Sequence, residues 1–436
     1  MRWMFVFLVT LLITSDFSGH NPGLGPGLSV KNACLYMIAM AILFRMALTG
    51  NFKLRLPGMH MAWAMWVGYA ILTFFAAWLV IHYRSYDALQ SAIALKSDLI
   101  DSCIYCLAAF YAVQDERDYR TVLYAIMAAI GISSILTLTD LVGLTGLGTR
   151  VGETGAEADR VFGAFGHANE TGALLALMLP GVITMTMSTR GIWRLFWLGC
   201  SAATAAVFIL TVSRGAFVGV AVGYPIAVMM FRKVIPPGRI AAWCFAGMIL
   251  AVIGAVVMGI ADPRAAASIA DRVFGIGSMG MSEASSGRTD IWAQALSAMM
   301  ENPVTLITGF GWNVYSTMPT VFAMHNTYLD QWFNLGLLGV ATYCYIYYTT
   351  IRTAREAVLA SVPPMRGEMI AFVFGMLGLA VSVFFGNLYT SKPYIWMYVG
   401  VTMRGAMLVL DKVTAAEEAA RAPAPRLGVG VSLRRA

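Results

Sequence analysis

Apolar windows long enough to cross a lipid bilayer recur along the chain. Hydrophobic residues make up 59% of the sequence and charged residues only 12%, and soluble domains usually contain about twice that charged fraction. Since a membrane-spanning helix needs ~20 apolar residues, the windows predict about 12 spans. They lie at 2–15, 30–49, 59–81, 98–114, 119–139, 169–188, 192–212, 214–231, 240–260, 334–351, 369–387 and 393–410. We therefore expect an all-α, polytopic integral membrane protein.

The distribution of lysine and arginine predicts how this bundle is oriented. With the N-terminus inside the cell, the loops on the inner side hold most of the basic residues, including Arg190, Arg194, Arg352 and Arg355. The positive-inside rule is then satisfied with both termini in the cytoplasm. The net charge of +7 is explained by this anchoring, so the lipid bilayer is the expected partner and no nucleic acid is predicted.

One loop is long enough to form a small subdomain outside the membrane. Residues 1–413 are predicted to form a single transmembrane domain that includes this loop, at about 261–333 between helices 9 and 10. A second, shorter polar loop at 140–168 lies on the same outer side. The tail at 414–436 is rich in Ala, Pro and Arg and is predicted to be a disordered, basic cytoplasmic extension.

A polar cluster follows the large loop and precedes a long apolar run. It begins with His325-Asn326 and continues to Tyr328 and Asp330. A histidine can accept a proton from a sugar hydroxyl at neutral pH, because its unperturbed pKa is close to 7. The other three residues are candidates for fixing the ring in one tautomer or for binding sugar hydroxyls. The alternative is that His325 is a structural residue at the mouth of a helix.

Three arginines on the outer side are candidates for binding a phosphate group. Arg214 lies between Ser213 and Gly215 where one apolar run ends and the next begins, so a helix N-terminus with unpaired N–H groups is expected there. Arg160 and Arg288 lie in the outer loops. Converging guanidinium groups bind phosphate oxygens in a bidentate manner and need no metal. The alternatives are an Arg214 side chain that reaches lipid headgroups, and loop ion pairs for the other two.

A second polar cluster lies where another helix enters the membrane from outside. It contains His167 and Asn169, which are candidates for substrate binding. Trp292 is a candidate for stacking on a sugar face, although interfacial aromatic residues are also common in membrane proteins. The remaining histidines, at 20, 60 and 82, are predicted to be exposed loop residues. The sequence predicts no metal site and no cofactor, and the cysteines fall within apolar spans without a disulfide framework.

Three segments together form a pattern shared with a known family. They are Arg160-x-x-Gly163-x-Phe165-x-x-x-Asn169, then Ser213-Arg214-Gly215, then Arg288-x-x-x-Trp292 with Gly309-Phe310-Gly311 and His325-Asn326 ahead of Gly336-x-x-Gly339. In this order they resemble the O-antigen ligase and O-antigen polymerase superfamily of bacterial membrane glycosyltransferases. The predicted spans and the position of the large loop agree with that family, so the resemblance covers nearly the whole chain.

The resemblance implies a metal-independent, inverting glycosyl transfer on the periplasmic side of the bacterial inner membrane. The donor would be a glycan on undecaprenyl pyrophosphate, and the acceptor would be lipid A core for a ligase. By analogy, Arg214 and Arg288 would hold the pyrophosphate and His325 would position or deprotonate the attacking hydroxyl. We therefore expect an O-antigen-ligase-like enzyme of lipopolysaccharide or other cell-envelope polysaccharide biosynthesis.

Two other functions remain open at this point. A polymerase of O-antigen or exopolysaccharide would use the same donor but another lipid-linked glycan as acceptor, and the Phe165-Gly-His167-Ala-Asn169 sequence resembles exopolysaccharide polymerases. A lipid-linked-oligosaccharide flippase or transporter belongs to a different class. Such transporters usually have paired repeats or broken helices, neither of which is evident in the sequence, and a large loop on one side favours an enzyme.

Overall fold

The computed structural model describes residues 1–18, 23–50, 58–147, 150–151, 160–236, 238, 287–317, 324–388 and 392–421. Within these ranges the chain is mostly helical. Two short antiparallel sheets are present, formed by β1 (Gly23–Gly25) with β2 (Leu28–Ser29) and by β3 (Arg150–Val151) with β4 (Val161–Gly163). The second sheet pairs Arg150 with Gly163 and so brings two segments within the 140–168 loop together.

The α-helices run between short turns. They are α1 (Arg2–Ser18), α2 (Val30–Thr49), α3 (Gly58–Phe75), α4 (Ala88–Ala94), α5 (Asp101–Ala112), α6 (Glu116–Leu141), α7 (Ala168–Ser188), α8 (Ile192–Leu210), α9 (Arg214–Phe231), α10 (Arg288–Glu301), α11 (Thr305–Thr308), α12 (Thr327–Ala360), α13 (Met365–Ser382) and α14 (Lys392–Arg421). A π-helical segment, Ala76–Ile81, continues α3, and another, Leu95–Ile100, joins α4 to α5.

The all-α, multi-pass membrane architecture is confirmed. Among the described residues, seven helices are long and apolar enough to cross a membrane, namely α2, α3 with its continuation, α6, α7, α8, α9 and α13. The predicted number of about 12 is not supported by this criterion. The ninth predicted span, 240–260, and most of the 261–333 loop lie outside the described residues, so the placement of that loop stays a prediction.

The other described spans are too short or too polar to meet this requirement of length and hydropathy. Helix α1 has only 17 residues. The window at 98–114 continues a helix that begins at Ala88, and its π-helical segment contains charged residues. Helices α12 and α14 have 34 and 30 residues, but they contain Tyr, Thr and charged side chains that lower their mean hydropathy.

The start of α12 is hydrogen-bonded to the segment that follows α13. The Thr327 amide donates to the Val383 carbonyl at 2.9 Å, and the Thr327 hydroxyl donates to the Gly386 carbonyl at 2.9 Å. These acceptors lie in the segment that follows α13, residues 383–388, which we call the 383–388 turn. Tyr394 at the start of α14 donates to Asp16 in α1. We call this side of the molecule the His325 end.

The opposite end of the bundle is rich in basic side chains. Arg2 pairs with Asp118 at 3.1 Å, and Lys412 pairs with Glu116. Arg366 donates to the Ser361 carbonyl at 2.7 Å. This distribution matches the side that the positive-inside rule assigns to the cytoplasm, while the orientation itself stays a prediction.

A stripe of glycines lets α9 approach α13 closely. Gly215, Gly219 and Gly223 are spaced by four residues, and a Cβ at Gly219 would lie 2.5 Å from a backbone oxygen of α13. Small residues at this spacing are typical of tightly packed membrane helices. A Cβ at Gly215 would lie 2.5 Å from Cβ of Phe385. The stripe therefore holds Arg214, the first residue of α9, beside the 383–388 turn.

Helix α12 is broken at Gly336. Its backbone is non-helical there, with φ 63° and ψ −165°, and a Cβ would lie 2.1 Å from the Ile307 carbonyl oxygen. The Phe310 amide donates to the Phe333 carbonyl at 2.9 Å, which satisfies an acceptor that the break releases. Residues 327–335 thus form a short helix of their own, which we call the mouth helix. A broken helix is therefore present, contrary to the sequence-based expectation.

Three further sequence-based boundaries or placements differ from the structure. The predicted span at 369–387 ends at Ser382, because the apolar Phe384 and Phe385 belong to the turn rather than to α13. Helix α14 continues to Arg421, so residues 414–421 of the predicted tail are helical, and 422–436 lie outside the described residues. His60 was predicted to be an exposed loop residue, but it is buried in α3 against Phe110.

We predict that Gly336→Ala destabilises the protein. An alanine at positive φ costs about 1–3 kcal/mol, and its Cβ would also collide with the backbone at Ile307. The matched control is Gly199→Ala in α8, where a Cβ meets nothing within 4 Å and alanine is the better helix former. Thermal unfolding in detergent, followed by size-exclusion chromatography after heating, measures both. Equal unfolding midpoints for the two variants would contradict the prediction that a glycine at the break in α12 is needed for stability.

Candidate active site

His325 occupies a fixed bend ahead of the mouth helix. Its φ of 49° lies in the left-handed region, which is uncommon for residues other than glycine and is often found at functional sites. On one side, the Met324 carbonyl accepts from Nε1 of Trp292 at 2.8 Å. On the other, the Asn326 side chain caps the mouth helix by accepting from the Leu329 amide at 3.1 Å. Both neighbours of His325 are therefore held in place.

Arg288 is brought to this bend by α10. It is the first residue of that helix, after Gly287 at φ 77°. One turn later, the Trp292 ring packs edge-to-face on Phe384 with centroids 5.5 Å apart. Because Trp292 also donates to the Met324 carbonyl, α10 is docked between the His325 bend and the 383–388 turn.

His167 approaches His325 from the start of α7. The two ring centroids lie 6.4 Å apart, and the ring planes differ by 30°. Nδ1 of His167 accepts from the Asn169 amide at 3.1 Å, so in the neutral ring the proton belongs on Nε2. The ring also stacks on Phe162 at 5.7 Å. The two histidines, predicted in separate clusters, therefore lie beside each other.

Arg160 connects this site to the turn that precedes Arg214. The Arg160 side chain is buried, its Nε donates to the Thr211 carbonyl at 3.0 Å, and its terminal nitrogen donates to Asn169. Ser213 then caps α9, of which Arg214 is the first residue. Arg160 thus fixes the α8–α9 turn, and Arg214 lies at a helix N-terminus as expected from the sequence.

The surroundings of His325 keep its ring uncharged. Burial, followed by the nearby Arg288 and His167, lowers the pKa of His325 from its ordinary value of 6.5 to about 4. The ring is therefore neutral at physiological pH and presents a lone pair. A conjugate acid with this pKa is strong, so the neutral ring is a weak base before any anion binds.

Tyr328 and Asp330 leave the His325 bend in different directions. The Tyr328 hydroxyl donates to the Ala380 carbonyl in α13 at 2.7 Å, which packs the ring between two helices. Asp330 lines a separate cavity together with Asp98 and Lys392. These residues are continuous in sequence but lie in different places: His325 at the bend, Tyr328 between two packed helices and Asp330 in a neighbouring cavity.

Sequence reasoning missed the 383–388 turn, which contacts the mouth helix, α9 and α10. Its only signal was Gly386-Asn387 after two phenylalanines, and the apolar phenylalanines placed it within a predicted span. Across the described parts of the chain, no group of three or more His, Cys, Asp or Glu side chains is arranged to hold a metal ion.

Residues 199–344 match the Wzy_C family model, described as O-antigen ligase. The matched segment contains Arg214, Arg288, Trp292 and His325, whereas Arg160, His167 and Asn169 precede it. No curated protein matches the chain. The resemblance read from the sequence is thereby confirmed over this segment, which matches an O-antigen ligase domain and supports the O-antigen ligase and polymerase superfamily.

Proposed function

We propose that the protein transfers a glycan from undecaprenyl pyrophosphate to an acceptor hydroxyl at the periplasmic face of the bacterial inner membrane, as an O-antigen ligase does. The observation that carries this proposal is the placement of His325, His167 and Arg288 at one bend within or beside the matched family segment. The basic opposite end supports a cytoplasmic location for both termini.

In the proposed step, a lone pair of the acceptor oxygen attacks the anomeric carbon from the face opposite the pyrophosphate. The bond between that carbon and the pyrophosphate oxygen breaks, and the leaving group takes the electron pair. Arg214 and Arg288 offset the charge that develops on it. His325 accepts the hydroxyl proton and later releases it to water. The anomeric configuration is inverted, and only side chains take part.

Donor binding would make His325 a stronger base. In the free protein, the cation of Arg288 lowers the pKa of His325. A pyrophosphate bound to Arg288 would neutralise that effect, and its own negative charge would favour the protonated ring. His325 would then become a stronger base only when the donor is bound. Such a dependence fits an enzyme that must not activate water in the absence of the donor.

The other predicted site residues fall into two groups under this proposal. Arg160, Asn169, Asn326 and Tyr328 donate to or accept from the protein framework, so we assign them to positioning the reacting groups, with Arg160 acting through the turn that precedes Arg214. His167 and Trp292 lie against the bend itself and would contact the donor or its sugar.

A polymerase is the second candidate, because one observation favours it. His167 belongs to the Phe165-Gly-His167-Ala-Asn169 sequence and lies against His325, so the feature that resembles polymerases is part of the site. A flippase is less well supported. The break in α12 is shared with transporters, but the residues around Phe310 fill it.

A deletion strain examined by lipopolysaccharide gel tests the function. Loss of a ligase should leave bare lipid A core and long glycan chains on the undecaprenyl carrier. Loss of an O-antigen polymerase should leave core that bears single repeat units, and loss of an exopolysaccharide polymerase should leave lipopolysaccharide unchanged. A strain that shows none of these defects and retains all its exopolysaccharide would contradict the proposal.

We predict that His325→Asn lowers transfer by a factor on the order of 10²–10⁴, the usual contribution of an acid–base group. Asparagine tolerates positive φ, so the backbone bend is preserved. The matched control is His82→Asn, because His82 is exposed and has a φ of 52°. Glycan attachment is measured in the deletion strain at equal membrane levels of each variant. Normal attachment with His325→Asn would exclude a catalytic role.

We also predict that Arg288→Gln shifts the pH dependence of the remaining activity. The positive charge of Arg288 lowers the pKa of His325, so its removal raises that pKa. Activity that requires the neutral ring should then begin to fall at a higher pH as the solution is acidified. The profile of kcat/KM against pH measures this in the free enzyme.

Arg214→Gln is the matched control for this experiment. It should also lower the rate, by about 10²–10³ for a lost charge stabiliser, but without moving the midpoint, since Arg214 is not among the groups that lower the pKa of His325. Identical midpoints for the two variants would contradict the electrostatic coupling of Arg288 to His325.

A further inference from the structure

We propose that the cavity beside the mouth helix is a sugar-binding subsite that holds one uncharged residue of the glycan substrate. The inference rests on the proposed function and adds to it a second binding region, separate from the arginines. The cavity lies between α3, the π-helical segment Leu95–Ile100, the mouth helix and the start of α14.

The lining of the cavity suits a small polar ligand. Its walls combine the aromatic rings of Trp66, Trp312 and Trp396 with several charged and amide side chains. Apolar walls with a few convergent polar groups are typical of ligand sites.

A chain of hydrogen bonds orients the carboxylate of Asp330 in this cavity. Gln331 donates to one of its oxygens at 3.3 Å, and Asn334 donates to the other at 3.1 Å. Gln331 is itself fixed, because its oxygen accepts from Nε1 of Trp66 at 3.0 Å. A carboxylate offers about four acceptor positions, so Asp330 retains capacity to accept from two neighbouring sugar hydroxyls.

An ion pair that also lines the cavity contains donor and acceptor groups. Nζ of Lys392 lies 2.9 Å from Oδ1 of Asp98, and an ammonium group has three protons to donate. Hydroxyl groups both donate and accept, so a wall that offers both kinds of partner matches a sugar. Asp98 belongs to the π-helical segment, and π-helical insertions are frequent at functional sites.

The charge of the cavity distinguishes it from the arginine region. Asp98 and Asp330 outnumber Lys392, so the lining is net negative and disfavours a phosphate. Two of the three tryptophan rings are fixed by hydrogen bonds, since Trp66 donates to Gln331 and Trp312 donates to the Ser91 carbonyl at 3.2 Å. Rigid aromatic faces can pack on the apolar face of a sugar ring. These features together select an uncharged glycan residue.

The cavity and the His325 bend are connected through the 383–388 turn. Thr327 lines the cavity and is the second residue after His325, while both its amide and its hydroxyl donate to this turn. Asn387 of the same turn lines the cavity. Sugars that run along the turn would therefore occupy the cavity with one residue and present a linked residue to His325.

The test uses the full-length protein in lipid nanodiscs and two phosphate-free oligosaccharide probes prepared from the host. One is the repeat unit freed from its pyrophosphate by mild acid, and the other is core oligosaccharide after removal of its phosphates. Binding is measured by intrinsic tryptophan fluorescence and by saturation-transfer NMR. Undecaprenyl pyrophosphate without sugar is titrated separately. Size-exclusion chromatography checks that each variant is folded.

We expect at least one oligosaccharide to bind the wild-type protein and Asp330→Asn or Lys392→Gln to weaken that binding by about tenfold or more. Undecaprenyl pyrophosphate should bind these variants as it binds the wild type. The matched control is Lys412→Gln, which removes a lysine that is paired with an acid at the opposite end of the bundle and should change neither affinity.

The outcomes separate the subsite from the proposed function. Binding of core oligosaccharide would assign the cavity to a ligase acceptor, and binding of the repeat unit would assign it to the polymer glycan. Failure of both probes to bind, or equal binding by wild type and both cavity variants, would overturn the subsite alone. If Arg214→Gln and Arg288→Gln bind undecaprenyl pyrophosphate as the wild type does, the proposed donor site is wrong whatever the sugars do.

Discussion

The backbone contact between Gly309 and Gly336 determines where the polar residues of this protein can lie. A Cβ at Gly309 would be 2.4 Å from the Asn334 carbonyl oxygen, and one at Gly336 would be 2.5 Å from the Gly309 amide. Only glycines permit two chain segments to meet this closely at positive φ. The contact separates the mouth helix from the long apolar part of α12 and satisfies the backbone groups that the break exposes. His325 can then lie in a bend at the edge of the bundle rather than within a continuous helix.

Two electrostatic environments result on either side of the 383–388 turn. On one side, Arg288 makes the surroundings of His325 positive and favours an anionic ligand. On the other, Asp98 and Asp330 with a single lysine favour an uncharged one. A lipid-linked glycan contains both kinds of group, with a pyrophosphate at one end and sugar hydroxyls beyond it. The arrangement would therefore orient such a molecule by charge, with its anionic end at the arginines and its sugars along the turn.

The class of fold was predictable from the sequence, whereas the way in which the residues after His325 are divided in space was not. Hydropathy identifies spans well because every backbone group in a membrane must bond within a helix. It cannot distinguish a phenylalanine that faces lipid from one in a turn, so Phe384 and Phe385 were assigned to a span. Asp330 is close to His325 in sequence but lines another cavity. Its side chain lies on a helix that begins at Thr327, so the helical rotation sets which way it faces. The partnership of Asp98 with Lys392 joins residues far apart in the chain, and no local pattern indicates it.

The low pKa of His325 suggests why these two environments adjoin each other. A histidine near pKa 4 is neutral but weakly basic, so the free protein has little power to activate a hydroxyl. A base of this kind gains strength when an anion binds nearby and offsets the arginine. Sugar binding in a net negative cavity provides no such anion at the arginines, whereas the pyrophosphate does. Acceptor activation would therefore depend on the charged end of the donor rather than on occupancy of the site by sugar. In such an enzyme, free polysaccharide in the periplasm can bind without reacting, and transfer begins only when the lipid-linked donor arrives.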